Sequence, residues 1–407
     1  MNFKLLLSTT FIASSLLATA QNAGNAYAIT GSNNNKFLWN NIKQVDLATG
    51  TVVKTLFEAD ATSYKMSYAD GSKSLNTQDA KPTVFGVAAA ALDARHNRLY
   101  FAPMHLSEIR YLDLDNANAS FTVVKQNIIG ASATYQNEEN HLTRMVIAAD
   151  GYGYAITNDA NHLIRFTTGK KVVVEDLGAL VDAESNKTIS VHNKCTSWGG
   201  DIVADAFGKI VIVSANHNVF SVDVNSKIAT YDGAITGLPA TFTTNASAVN
   251  NEGNMIVGSA VVFDGLFKVN VKSLAATKIE NTENQFNASD LANANFLSQK
   301  EFNSKNKFNA TPPQLYTDVI SGGSRVYPNP VTNSEFKVLF DDLNVGTYTI
   351  TVTDLTGRII LNKTANIAAK VQAEKVQLKS TLAKGMYLVK VSDTNQKLMF
   401  TERIVVQ

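Results

Sequence analysis

Three charged residues, Arg144, Asp201 and Asp290, fall on segments that read as the innermost strands of a repeat. A guanidinium beside two carboxylates in a concave site can fix a polar ligand or a cation. The same three groups without a ligand form a buried ion pair that plugs the space between the strands. Thr143, Ser247 and Ser289 lie on the same segments and would add hydroxyls to either arrangement.

Other chemistry is sparse. The single cysteine, Cys195, follows His192 by three residues, but VHNKCTSWGG has the Asn, Lys, Ser and Gly of a loop, so it reads as a loop or buried thiol and not as a nucleophile. One cysteine also makes no intramolecular disulfide. The six histidines, His96, His105, His141, His162, His192 and His217, are scattered among loops and strand ends. DLDNANAS at 113–120 alternates oxygen ligands but lacks the acidic residue that closes a calcium loop, which leaves a polar hairpin. GYGYAI at 151–156 lacks the third glycine and the following helix of a dinucleotide fingerprint and is a turn. The chain contains no HExxH, zinc-ligand spacing, G-x-S-x-G elbow or P-loop, so no metal or cofactor is expected.

Composition narrows the partners. With 45% hydrophobic and 17% charged residues and a net charge of +1, the chain has no electrostatic bias toward nucleic acid or anionic membrane. At 407 residues it exceeds what one core usually serves, about 250–300. MNFKLLLSTTFIASSLLATA, residues 1–20, has a Lys-bearing start, an apolar run and a small-x-small end, the pattern of a secretory signal with the mature chain starting at Gln21. The run is shorter than the roughly 20 residues a transmembrane helix needs, and no later stretch is apolar enough to span a bilayer.

The elements that must carry Arg144, Asp201 and Asp290 repeat along residues 21–297. HLTRMVIAADGYGYAITNDANHLIRFTTGKKVVVEDLG (141–178) parses as four strands, Leu142–Ala148, Tyr154–Thr157, His162–Thr167 and Val172–Asp176, which is one propeller blade. The same plan recurs at 84–125, 198–233 and, more weakly, 245–280. Each first strand runs into a turn pair, Asp93/Asn97, Asp150/Gly153, Asp205/Gly208 or Asn250/Gly253, whose acids and amides read as turn formers and not as catalysts. Residues 24–58 supply three strands without a first, and 287–297 supply a first strand without followers. Joined, they close the ring by pairing the chain ends, giving an all-β propeller of five blades, or six if a degenerate blade hides in 59–81 or 298–319. VDLATGTVV at 45–53 resembles the hairpins of bacterial repeat propellers; that resemblance implies an architecture and no activity.

Residues 298–324 are polar and aperiodic, with Pro312-Pro313 and Gly322-Gly323, the composition of a linker. Beyond them, 325–407 alternate like a small immunoglobulin-like β-sandwich. RVYPNPVTN opens this part, its prolines restricting the chain to an extended lead-in to the first strand. Val326-Tyr327-Pro328-Asn329-Pro330, Gly346-Thr347-Tyr348, the turn Asp354 to Arg358, Leu382-Ala383-Lys384-Gly385-Met386-Tyr387-Leu388-Val389-Lys390 and the closing Val405-Val406-Gln407 resemble, in this order, the type A C-terminal sorting domain of the type IX secretion system. Pro328, Asn329, Pro330, Gly357, Gly385, Tyr387 and Lys390 match that family's pattern. The resemblance implies passage through the periplasm, recognition by the type IX machinery at the outer membrane, and release from, or display on, the surface of a Gram-negative bacterium.

For residues 21–297 the thin chemistry favours a non-enzymatic binding or adhesion module for a surface glycan or protein ligand. The alternative is a secreted hydrolase or lyase at the channel mouth, built on Arg144, Asp201 and Asp290. A channel filled by Ala and apolar side chains, with an aromatic patch on one face, would support binding. A cluster of His and carboxylates at the mouth would support an enzyme.

Overall fold

The computed structural model describes residues 24–31, 38–71, 81–125, 128–129, 135–169, 171–280, 286–306, 325–331, 334–341, 343–354, 357–368, 371–379 and 381–406. The expected signal, 1–20, and residues 307–324 of the expected linker lie outside them. The chain divides into two compact units between Tyr316 and Thr317.

The first unit holds, in chain order, β1 (Asn25–Gly31), β2 (Trp39–Asp46), β3 (Val52–Phe57), β4 (Tyr64–Tyr68), β5 (Val87–Asp93), β6 (Arg98–Pro103), β7 (Ile109–Asp113), β8 (Ala119–Lys125), β9 (Leu142–Ile147), β10 (Gly153–Thr157), β11 (Leu163–Phe166), β12 (Val174–Asp176), β13 (Val181–Asp182), β14 (Asp201–Ala204), β15 (Lys209–Val213), β16 (Asn218–Asp223), β17 (Ile228–Ala234), β18 (Ala246–Val249), β19 (Met255–Gly258), β20 (Phe267–Val269), β21 (Ala276–Lys278), β22 (Ala288–Ala292) and α1 (Gln299–Asn306). The strands form five sheets among the described residues: β22-β1-β2-β3, β5 to β8 with β4 outside β8, β9 to β12, β14 to β17 with β13 outside β17, and β18 to β21.

Turn chemistry sets the hairpins. In the third-to-fourth-strand turns, Asp46 Oδ1 accepts the amides of Ala48 and Thr49, Asp223 Oδ1 those of Asn225 and Ser226, and Asn270 Oδ1 those of Lys272 and Ser273. Each turn closes four residues on at a positive φ, in Gly50, Lys227 and Leu274. The first-strand acids do likewise: Asp150 Oδ1 accepts Tyr152 N, and Asp205 Oδ1 accepts Phe207 N and Lys209 N. At Gly153 a Cβ would lie 2.1 Å from the Phe166 ring, so that strand position takes only glycine.

The inner strands β22, β5, β9, β14 and β18 are neighbours in a closed cycle. A separate apolar cluster fills each of the five gaps between successive sheets. Ile42, Phe57, Leu92 and Phe101 fill the first; Ala91, Tyr100, Met145 and Phe166 the next. Ile156, Leu163, Ile202 and Phe220 follow, then Val213, Phe242, Val257 and Phe267. The last gap, between β18–β21 and β22-β1-β2-β3, is Ala-rich, with Ala26, Ala28, Ala246 and Ala288. The chain ends join through β1 and β22, with Tyr27 opposite Ala292 and Ile29 opposite Asp290.

Two expectations change. Within 59–81 the described residues contribute β4, which pairs in parallel with β8 as an outer strand. The expected linker begins with α1, whose Phe302 packs edge-on against Phe207 with ring centroids 5.4 Å apart. One apolar anchor in a polar stretch is enough to hold that turn of chain against the first unit.

The second unit holds β23 (Arg325–Tyr327), β24 (Glu335–Asp341), β25 (Gly346–Asp354), β26 (Ile359–Ile367), β27 (Val371–Gln377), β28 (Gly385–Asp393) and β29 (Leu398–Val406). Sheets β23-β24-β27 and β26-β25-β28-β29 share one core of alternating residues, among them Phe336, Val338, Ile350, Val352, Val389 and Ile404. The prolines of RVYPNPVTN do not lead into the first strand. Arg325–Tyr327 already pairs with β24, and the prolines, which have no N–H to donate, follow in a bend where both X–Pro bonds are cis.

Candidate functional site

The five inner strands surround a central space of only about 10 Å³, lined by Ala90, Met145, Ile202, Ala248 and Leu291 among others. That is room for about one water molecule. The segment after β22 crosses one end: Asn293 and Asn295 each donate Nδ2 to the Val249 carbonyl, at 2.7 and 2.8 Å.

The three residues expected at the channel mouth are wholly buried. Arg144 makes no ion pair. Its guanidinium donates to the carbonyls of Ser197 (2.6 Å), Gly199 (2.7 and 3.1 Å) and Thr157 (3.1 Å), tying β9 and β10 to the loop before β14. Burial lowers its pKa to about 10 despite the nearby charges of Asp201 and Asp159. At the adjoining position, a Cβ on Gly200 would lie 1.9 Å from the Val213 carbonyl, so the loop that receives Arg144 is built on glycine at positive φ.

Asp201 and Asp290 do come together. Asp201 Oδ1 accepts Ile202 N at 2.7 Å, and its Oδ2 accepts Ser247 N at 2.6 Å and Leu291 N at 3.5 Å. Asp290 Oδ2 accepts Ala90 N at 2.8 Å, whereas no backbone or side-chain donor reaches Asp290 Oδ1. The two carboxyls hydrogen-bond each other, and burial raises both pKa values, that of Asp201 to about 8 and that of Asp290 well above its ordinary value. Asp201 accepts three backbone amides and Asp290 one, so the charge formed when the pair gives up its first proton rests best on Asp201, with the remaining proton between the two carboxyls. With Ser289 Oγ donating to Val87 O at 2.6 Å, these groups link β14 to β18 and β22, and β22 to β5. Most of the polar groups expected at the ligand site thus join inner strands and are buried. Thr143 Oγ1 and Ser247 Oγ are buried there without a hydrogen-bond partner.

The histidines disperse. His96 pairs with Asp93 at 2.5 Å and His162 with Asp176 at 2.7 Å, while both ring nitrogens of His192 face carbonyls, those of Asp159 and Leu180. Cys195 sits exposed in its loop. Among the described residues no three His, Cys, Asp or Glu side chains gather as a metal site.

A feature that the sequence reasoning missed lies on the loops. His105 stacks on Tyr135 with centroids 5.0 Å apart and planes 16° apart, and also touches Phe85 (5.5 Å) and His141 (4.6 Å). Tyr135 is 80% and Phe85 48% exposed. Burial and then the neighbouring His141 lower the His105 pKa. Aromatic residues inside the turn-rich stretches KPTVFG and ATYQNEEN were the available signal, since loop aromatics without a core to enter stay on the surface.

In the second unit, Asn329 clips the last strand: its Nδ2 donates to Arg403 O at 2.7 Å and its Oδ1 accepts Val405 N at 2.9 Å. Tyr348 and Tyr387, each two residues after a glycine, donate their hydroxyls to carbonyls four residues back, Asn344 and Ala383, both at 2.7 Å. Gly357 takes a φ of 88° where the chain turns back toward Asp354. Gly385 opens β28, and Lys390 lies exposed on that strand opposite Thr401.

Residues 325–407 match the secretion system C-terminal sorting domain. The match indicates handling by the type IX secretion machinery and export to the outer surface or secretion. Among the described residues no helix is long and apolar enough to cross a membrane. No curated protein matches the chain significantly. Solved structures that match the chain include PorZ, an essential bacterial surface component of the type-IX secretion system of Porphyromonas gingivalis, at 14% identity and a TM-score of 0.32, covering 94% of this chain and 51% of that one. The extracellular domain of a putative one-component system from B. thetaiotaomicron matches at 8% identity and a TM-score of 0.33, over 90% of this chain and 49% of the other. Virginiamycin B lyase from Staphylococcus aureus matches at 9% identity and a TM-score of 0.30, over 95% and 96%. The chain thus spans about half the length of the first two structures it matches. Its own architecture is all-β and propeller-like.

Proposed function

We propose that the first unit is a five-bladed propeller serving as a binding module at the cell surface or in the secreted fraction, and that the second is an immunoglobulin-like sandwich carrying the export signal. Five sheets in a cycle, with one apolar cluster per gap, support the blade count. The observation that carries the binding function is the filled centre: the inner strands leave about 10 Å³, and Arg144, Asp201 and Asp290 join strands instead of facing solvent. Recognition then falls to the outside, where Phe85, His105 and Tyr135 make an aromatic surface that soluble proteins seldom leave bare. The ligand is a surface glycan or protein.

The test is a glycan and peptide array probed with residues 21–306, alongside Phe85→Ala and Tyr135→Ala. Ligands held by the parent and lost by the variants are expected. A binding profile untouched by both substitutions removes the aromatic face from the proposal, and turnover of a bound glycan or peptide would favour a hydrolase or lyase instead. For export, a chain lacking 325–407 should remain in the periplasm; normal surface display of that chain would refute the role of the second unit.

A further inference from the structure

We propose that a cleft of about 810 Å³ between the β14–β17 and β18–β21 sheets binds a neutral oligosaccharide. The site is distinct from the aromatic surface. Phe85 precedes the inner strand β5, whereas the cleft is built from the turns after β18 and β20 and the segment after β22, so the proposal stands on other residues.

The cleft is preformed. Its walls are the turns at 250–253 and 270–274 and the segment 294–301 that runs on from β22. That segment is fixed to the turn after β14 by Leu297 N to Ala204 O and Ala206 N to Leu297 O, both 2.9 Å, and by the Phe302–Phe207 contact. Its volume lies within the roughly 300–1,000 Å³ of small-molecule sites.

The lining selects the ligand class. Val211, Val219, Met255, Leu274 and Phe296 give apolar surface, and Asn250, Asn254, Asn270, Asn295 and Gln299 give amides, of which Asn254, Asn295 and Gln299 already donate to Glu252, Val249 and Asn303 and offer a ligand only their oxygens. A carboxamide offers a donor and an acceptor in one plane, which matches the paired hydroxyls of a sugar, while the apolar residues take the C–H face of the ring. Asn250 and Asn270 are already oriented. Asn250 Oδ1 accepts Glu252 N and Asn254 N, and Asn270 Oδ1 accepts Lys272 N and Ser273 N, so each turn is satisfied by the oxygen. Among the described residues, neither Nδ2 has a partner. Donors held this way lose little entropy on binding.

Two other classes fit poorly. Asp205, Asp232, Glu252 and Glu301 stand around the cleft with Lys272 and Lys300, and such mixed signs do not make the single-sign field that phosphates or nucleic acid require. An extended peptide needs an unpaired strand edge to add to, and these walls are mainly turns.

The experiment titrates the full chain calorimetrically with maltotriose, cellotriose, chitotriose and mannotriose, each to about 10 mM, a ceiling set by weak single-site sugar affinities. Binding of at least one is expected, with shifts of the Asn250 and Asn270 side-chain amide signals in a nitrogen-15 spectrum. Asn250→Asp with Asn270→Asp keeps both turn-forming oxygens and removes both donors; it should weaken that binding by about tenfold or more while leaving the urea midpoint in place. Gln299→Ala, outside the turns, should weaken it with no folding change. Failure of all four trisaccharides to bind overturns the proposal. So does binding lost in Tyr135→Ala and kept in the double variant, which would move the sugar to the aromatic surface and leave the binding-module proposal intact.

Discussion

Replacing Asp290 by Asn should leave the first unit folded and flatten the dependence of its stability on pH. In the native protein burial raises the pKa of both carboxyls, that of Asp201 to about 8, and the charge on Asp201, once it forms, raises Asp290 further. In the unfolded chain both are ordinary carboxylates near pKa 4. Above that pH the native state binds more protons than the unfolded state, so stability is greatest at or below pH 4 and falls as pH rises toward the native pKa values. The slope is about 1.4 kcal/mol per pH unit for each retained proton. An asparagine at 290 donates from Nδ2 in place of the proton and still accepts Ala90 N through Oδ1, so one titrating group disappears and the hydrogen bonds do not. Between pH 5 and 8 the variant should therefore lose about 4 kcal/mol less stability than the parent, an upper figure for a single proton. Asp201→Asn is the contrasting case. Three backbone amides already point at its carboxyl, so above pH 8, where the native group is a carboxylate, a carboxamide NH₂ must face one of them, at a cost of about 1–3 kcal/mol. Urea denaturation followed by tryptophan fluorescence reads the right unit, because both tryptophans of the chain, Trp39 and Trp198, lie in it. Equal pH slopes for parent and Asp290→Asn, or equal stability of the two Asn variants above pH 8, would refute the shared-proton account.

Arg144→Met should destabilise the first unit by about 3 kcal/mol or more in the same urea assay, since it strips the donor from the buried carbonyls of Ser197, Gly199 and Thr157. Asn329→Ala should cost the second unit about 1–2 kcal/mol and speed hydrogen exchange at the Val405 amide, which donates to Asn329 Oδ1. Unchanged exchange there would show that the clip contributes nothing.

Local chemistry made much of the fold legible. Alternating apolar residues and Asp or Asn turn formers marked the strands of 141–178 to within one or two residues, and Tyr154–Thr157 was found as Gly153–Thr157. The same signals located the joining of β1 to β22 and the strands of the sorting domain from β24 onward, but not β23, which precedes the prolines. Tyr64–Tyr68 was not legible, because a parallel outer strand is stabilised by the edge of β8, about 55 residues away in the chain, and leaves only a weak local pattern. Helix α1 depends in the same way on a distant contact, that of Phe302 with Phe207.

The sequence by itself determined the sorting domain, the turns and most of the strands, since each is written in neighbouring residues. It also singled out Arg144, Asp201 and Asp290 as charged groups on inner strands. Only the tertiary structure decided what they do. Whether a buried carboxylate meets a guanidinium, a second carboxyl or a backbone amide depends on which strands the ring brings side by side. Here the closed ring gave Arg144 carbonyls and gave Asp201 amides and Asp290.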